Sequence, residues 1–183
     1  MTDSLTVERQ TKLIAGFAAL AVCIHIVEAS VPSPIPGVKP GLANVVTLVV
    51  LLRYGPAMAA WVAAMRVIAG SLLIGSFMAP TFIMSAGGAL ASVSVLLGVW
   101  WANNKIGRIA PRLALGPVGL SLAAAWAHMS GQLIIARLLF IPHNGLFNLA
   151  PVLLTAATVF GIVSGLFAVA LLSKLPPISQ QHP

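Results

Sequence analysis

Acidic residues are almost missing from this 183-residue chain: Asp and Glu number three, against ten Lys and Arg. Two of the three, Asp3 and Glu8, fall in the N-terminal tail, which leaves Glu28 as the only acid beyond it. Chemistry in which several carboxylates hold hard cations is therefore excluded. Cysteine is equally scarce. The single Cys23 rules out an internal disulfide and any multi-cysteine metal site. Its place inside an apolar run reads as a small packed side chain. Four histidines at scattered positions define no metal site. There is no P-loop, no G-x-S-x-G and no H-E-x-x-H. No catalytic residue, metal or cofactor is expected, and the chain is not read as an enzyme. Charge of either sign makes up only 7% of the residues.

Hydrophobic residues, by contrast, make up 59% of the chain, and the mean hydropathy is +1.02. That is more apolar surface than one soluble core could bury, and the composition reads as an all-α polytopic membrane protein. Apolar runs between breakers give six candidate transmembrane helices, at 13–29, 38–52, 57–77, 81–101, 113–140 and 146–172. The second is short for a bilayer about 30 Å thick and is expected to extend through Tyr54 or to lie partly inside the bundle. The last two are long enough to tilt or project. Residues 13–173 then form one membrane domain, flanked by an N-terminal tail at 1–12 and a C-terminal tail at 174–183. No A-x-A cleavage signal precedes the first helix, which is read as retained.

The net charge of +7 does not point to nucleic acid, because the bases are scattered singly, with only Lys105, Arg108 and Arg112 loosely clustered. They are a topology signal instead. With the N-terminus inside, Arg9, Lys12, Arg53, Lys105, Arg108, Arg112 and Lys174 are cytoplasmic, and Lys39 is alone outside. Both tails are then cytoplasmic and the protein is a multi-pass cytoplasmic (inner) membrane protein. In this frame the loop SVPSPIPGVKP, at 30–40, is an outer segment with four prolines, stiff and non-helical, fit for a cap or lid. Residues 141–145 make a tight outer turn, and 102–111 are the main polar inner surface.

The polar residues of the spans gather toward the outer half. His25 and Glu28 share a face late in helix 1, Lys39 and Asn44 flank the start of helix 2, and His128 and Gln132 share a face of helix 5. Arg66 is the only charge between Gly55 and Asn104 and sits near mid-span. A cation there costs on the order of 2.5–3.5 kcal/mol, so it must face protein, water or a ligand. Two readings stay open together: an ion pair with Glu28, and contact with a ligand or its water. His128 and Gln132 read either as interhelical hydrogen-bond partners or as ligand contacts, and Lys39 either as a solvated loop cation or as part of the site. Arg137 is nine residues from His128, on the opposite face, and reads as an interfacial cation. Cations in excess of acids favour a solute with an anionic or polar group. Small residues mark close contacts: Ala15, Gly16 and Ala19 on helix 1, and Gly161 with Gly165 on helix 6. Each stripe serves either packing within the chain or docking of another subunit. Gly70, Gly75, Gly87 and Gly88 allow close backbone approach at the outer ends of helices 3 and 4. Trp61, Trp100, Trp101 and Trp126 include interfacial anchors, Trp100 and Trp101 the best of them.

Three segments carry a family resemblance. IPGVKPGLANVVTLVVLLRYGPAMAAWVAAMRVIAGSLLIGS, at 35–76, SAGGALAS, at 85–92, and AHMSGQLIIA, at 127–136, together resemble the Gx transporter family, also labelled heptaprenyl diphosphate synthase component I. The specific elements are PGVKxGLAN, the later Arg-x-x-x-Gly and H-x-x-G-Q. Pro40 stands where an apolar residue is expected, which stiffens the loop. Members of this family look like S components of energy-coupling-factor transporters, six-helix bundles with an outer pocket and an inner coupling face. The resemblance implies Lys39, Asn44, Arg66, His128 and Gln132 as pocket residues, with Glu28 beside them. It implies Ala15 and Ala19 as contacts with a transmembrane coupling subunit; energy would come from partner ATPases or from a solute gradient. A trans-prenyl synthase ionises an allylic diphosphate with magnesium held by paired aspartate-rich motifs, and one aspartate cannot do this alone.

The expected function is a membrane subunit that binds a small anionic or amphipathic solute in an outward-facing pocket for uptake. Two alternatives remain: a membrane accessory to isoprenoid or quinone biosynthesis that is not itself the synthase, and a structural or assembly subunit. The partners expected are the solute, the lipid bilayer, and a coupling subunit with its ATPases.

Overall fold

The computed structural model describes residues 2–30, 42–110, 112 and 114–175. Six α-helices carry the chain: α1 (Thr2–Ser30), α2 (Leu42–Tyr54), α3 (Pro56–Ile74), α4 (Pro80–Ile109), α5 (Pro117–Ile135) and α6 (Ala150–Lys174). A π-helical turn (Ala136–Phe140) and a 3-10 helix (Asn144–Leu149) join the last two. No strand occurs among the described residues. Four helix starts are set by proline, which lacks only an N–H that the first turn leaves unbonded anyway: Pro56, Pro80, Pro117 and Pro151. α2 and α3 are separated by Gly55 alone, whose φ of 96° other residues rarely adopt. Gly75 ends α3 in a left-handed cap, its N–H donating to the Leu72 and Ser71 carbonyls.

Several boundaries differ from the sequence reading. α1 begins at Thr2 and α4 runs on to Ile109, so the stretches 2–12 and 102–109 are helical rather than tail and loop. The inner cluster continues the α4 cylinder instead of hanging from it. α5 is not one regular helix to Phe140: the hydrogen-bond ladder widens at Ala136 and the chain then turns. α2 has only 13 residues. The other five helices are long and apolar enough to cross a membrane, and the large side chains exposed on them, such as Leu73, Leu90 and Leu166, are those a lipid-facing surface requires. The fold is that of a multi-pass membrane protein.

The helices pack as two halves. α1, α2 and α3 touch one another, α4 packs along α5 and α5 along α6, and the halves meet where α2 touches α6 and α3 touches α4. α2 is apolar all round and is buried at every residue from 45 to 51, which answers its shortness: it is wrapped by protein. Val50, Leu51, Val62 and Leu120 anchor the core it forms.

Glycines decide how closely the second half packs. A Cβ on Gly131 would lie 2.8 Å from Ala91 Cβ and 3.0 Å from the Gly87 carbonyl oxygen, so α4 and α5 meet backbone to backbone. The Gly161/Gly165 pair is used the same way against α5, within the chain. The small face of α1 is different. Ala15, Gly16 and Ala19 are exposed, and a Cβ on Gly16 would meet nothing within 4 Å. Cys23 also departs from expectation, because its position on α1 points it outward, exposed rather than packed. Of the tryptophans, Trp101 is exposed with the Lys105 ammonium 3.7 Å from its ring centroid, whereas Trp100 packs against the core.

Candidate functional site

The two halves do not close on each other at one end, and a cavity of about 430 Å³ lies between them. It occupies the end where α1 finishes, α2 begins and α3 turns into α4. All six helices line it. Its volume is in the range of small-molecule sites, roughly 300–1,000 Å³.

Five of the six side chains singled out for the site converge here: Glu28 from α1, Asn44 from α2, Arg66 from α3, and His128 and Gln132 from α5. The sixth, Lys39, lies outside the described residues. His25 joins them. Arg66 is 6% exposed and Glu28 also 6%, and the carboxylate is close enough to act on the guanidinium electrostatically. Arg66 thus stands within electrostatic reach of Glu28 and also lines the cavity. His128 in turn feels Arg66 and His25 and meets the backbone of Gly88.

Glycines seat this cluster. A Cβ on Gly70 would lie 2.8 Å from His25 Cδ2, so α3 leaves room there for the α1 imidazole. A Cβ on Gly88 would lie 2.7 Å from Gln132 Cγ and 3.0 Å from His128 Cε1, so two polar side chains of α5 lean across bare backbone of α4. Three atoms of the cluster, Thr47 Oγ1, Arg66 Nε and His128 Nδ1, are shut away from water without a hydrogen-bond partner. Each such atom costs about 1–3 kcal/mol, a cost released if a bound group or a shift of side chains satisfies it.

Hydroxyl groups are what the sequence reading missed. Thr47, Ser71, Ser92, Ser121 and Ser164 are all buried and all line the cavity. With Glu28 and Arg66 they complete the set of seven buried polar or charged side chains among the described residues, and every one of the seven faces this single space. A signal existed, since Ser121 precedes His128 by seven residues, as Ser85 precedes Ser92, and two helical turns return a side chain to the same face.

Other polar residues go elsewhere. Arg137 donates from Nη2 to Asn144 Oδ1 at 2.9 Å, beside the π-helical turn and away from the cavity. His143 Nδ1 accepts from the Gly145 N–H and caps the 3-10 helix. Asn148 is exposed. Ala15 and Ala19 stand on the outward face of α1 and have no part in the cavity. Among the described residues, no three His, Cys, Asp or Glu side chains come together as a metal site.

As a class, this is a multi-pass helical membrane protein with a polar chamber at one end. The family is more specific. The model described as heptaprenyl diphosphate synthase component I matches residues 17–171, and the chain belongs to that family. The description makes its members a membrane component associated with heptaprenyl diphosphate synthesis and implies a second component as partner. Neither a curated protein nor a solved structure matches the chain.

Proposed function

We propose that the protein is the solute-binding subunit of an uptake system in the cytoplasmic membrane, similar in kind to the S components of energy-coupling-factor transporters. One observation carries the reading: every buried polar side chain described in the bundle turns toward one cavity, and hydrocarbon-exposed packing would not gather them so. Positive-inside bias supports the orientation, since Arg53, Lys105, Arg112 and Lys174 lie at the end opposite the cavity. The chamber is then outward-facing, and an anionic or amphipathic solute meets Arg66 at the end where α1 finishes and α2 begins. The open face of Ala15, Gly16 and Ala19 is the surface left for a coupling subunit, with ATPases supplying energy.

The family description favours a second reading, a membrane accessory to prenyl diphosphate synthesis. It is separated by adding the purified protein to a soluble prenyl synthase and measuring product, which rises on this reading alone. A purely structural subunit is disfavoured by a chamber that side chains leave unfilled. The test of the solute-binding reading is mass spectrometry of small molecules retained through mild-detergent purification, followed by titration into wild type and Arg66→Gln. A retained acid that binds the variant at least ten-fold more weakly, about 1.4 kcal/mol, supports it. Nothing retained, or equal affinity, refutes it.

A further inference from the structure

The cavity has a floor as well as a charged level. Ser121 on α5 and Ser164 on α6 are buried, 7% and 4% exposed, and meet across the α5–α6 seam, where a Cβ on Gly165 would lie 3.2 Å from Ser121 Cβ. Both line the cavity. Their depth can be read along single helices. His128 and Ser121 lie on one face of α5, two turns and about 10 Å apart, whereas Ser92 on the antiparallel α4 stands near the level of His128, since Gly88 meets His128 and Gln132 and Asn103 pairs with Leu115. Ser164 lies two turns below Ala157 on α6, whose start is at the mouth. Between the levels the wall is apolar, with Val93, Ala124, Ala125 and Phe160.

This order of surfaces is charged and amide groups near the mouth, an apolar waist, then hydroxyls at the bottom. It is the wrong way round for a single-headed lipid. A prenyl or acyl tail directed inward would end against two buried hydroxyls and offer them no partner, leaving only their own helix carbonyls to accept from them. A site built to hydrogen-bond a group discriminates strongly against an analogue that lacks it.

Resting on the solute-binding reading above, we infer that the solute is polar at both ends: an acidic or strongly polar head near Arg66 and His128, an apolar middle, and an uncharged hydrogen-bonding group at Ser121 and Ser164. Its polar ends are about 10 Å apart. A prenyl chain ending in hydrocarbon does not belong in this chamber, whatever synthase the family serves.

The test uses the full-length chain in mild detergent and three probes: 8-hydroxyoctanoate, octanoate and geranyl phosphate. The first carries an acid and a hydroxyl about 10 Å apart, and the other two end in hydrocarbon. Isothermal titration is expected to give 8-hydroxyoctanoate about ten-fold tighter binding than octanoate, the worth of one satisfied buried hydrogen bond. In Ser121→Ala/Ser164→Ala that ratio falls toward one, whereas Arg66→Gln weakens both acids and keeps the ratio. Octanoate or geranyl phosphate binding wild type as tightly as 8-hydroxyoctanoate overturns the two-ended solute while leaving solute binding intact. Failure of all three probes, with nothing retained through purification, overturns the solute-binding reading and this inference with it.

Discussion

Gly165→Ala adds one methyl group and should cost more stability than most single changes in this chain. The new Cβ would lie 2.6 Å from Val118 Cα and 3.2 Å from Ser121 Cβ, and the nearer atom belongs to the backbone, which no rotamer change can move. Carbon atoms settle about 3.5–4 Å apart, so α5 and α6 must separate by about 1 Å along this seam. Overpacking of that kind costs about 1–3 kcal/mol, while the better helix propensity of Ala returns up to about 1 kcal/mol. A net loss of about 1–2 kcal/mol follows. Gly16→Ala is the control with identical chemistry, because its Cβ would meet nothing within 4 Å and keeps only the propensity gain. Unfolding of both variants in mixed micelles with rising dodecyl sulfate measures the difference, expected to be about 2 kcal/mol between them. Ser164 and Ser121 flank the seam, so the preference for 8-hydroxyoctanoate should also fall in Gly165→Ala. If Gly165→Ala proves as stable as Gly16→Ala, the backbone contact that shapes the cavity floor is wrong.

The short α4–α5 connection is held by Asn103, which donates from Nδ2 to the Leu115 carbonyl at 2.7 Å and accepts from the Leu115 N–H at 2.9 Å. Asn103→Ala should lose about 1–2 kcal/mol in the same unfolding assay, and an unchanged midpoint would deny the clasp any role. Trp126 donates from Nε1 to Thr158 Oγ1 at 2.9 Å across α5 and α6. A Trp126→Phe/Thr158→Val double-mutant cycle should give a coupling of about 0.6 kcal/mol, and a value indistinguishable from zero would remove that bond from the account. For orientation, in a Cys23→Ser background an impermeant maleimide should label Lys105→Cys only in inside-out vesicles and Phe147→Cys only in right-side-out ones. The opposite pattern would turn the cavity toward the cytoplasm and end the uptake proposal.

The helices were legible because apolar run length and proline are local signals. The sequence starts at 57 and 81 fall one residue from Pro56 and Pro80, where the fixed φ of proline sets the first turn. Inner helix ends were less visible, since Asn103, Asn104 and Lys105 read as loop residues although α4 carries them in its last turns. The break in α5 left an indirect trace: Arg137 could not share a face with His128 on a regular helix, and a π-helical turn intervenes. Ionisable residues of the site were visible one by one, because a charge in an apolar run demands a partner. The serines were silent, since a hydroxyl in a membrane helix can bond to its own backbone and raises no conflict.

Composition and spacing alone determined an all-helical membrane protein, an asymmetric charge distribution and an Arg66 that hydrocarbon could not accept, because each follows from short-range cost in lipid. Only the tertiary structure decided that α2 is enclosed, that Gly161 and Gly165 bind α6 to α5 while the α1 stripe stays open, and that Ser121 and Ser164 share a floor with the charged level above them. Those facts depend on how each helix is rotated about its axis. That rotation is set by backbone contacts at glycines on neighbouring helices, which no single segment encodes.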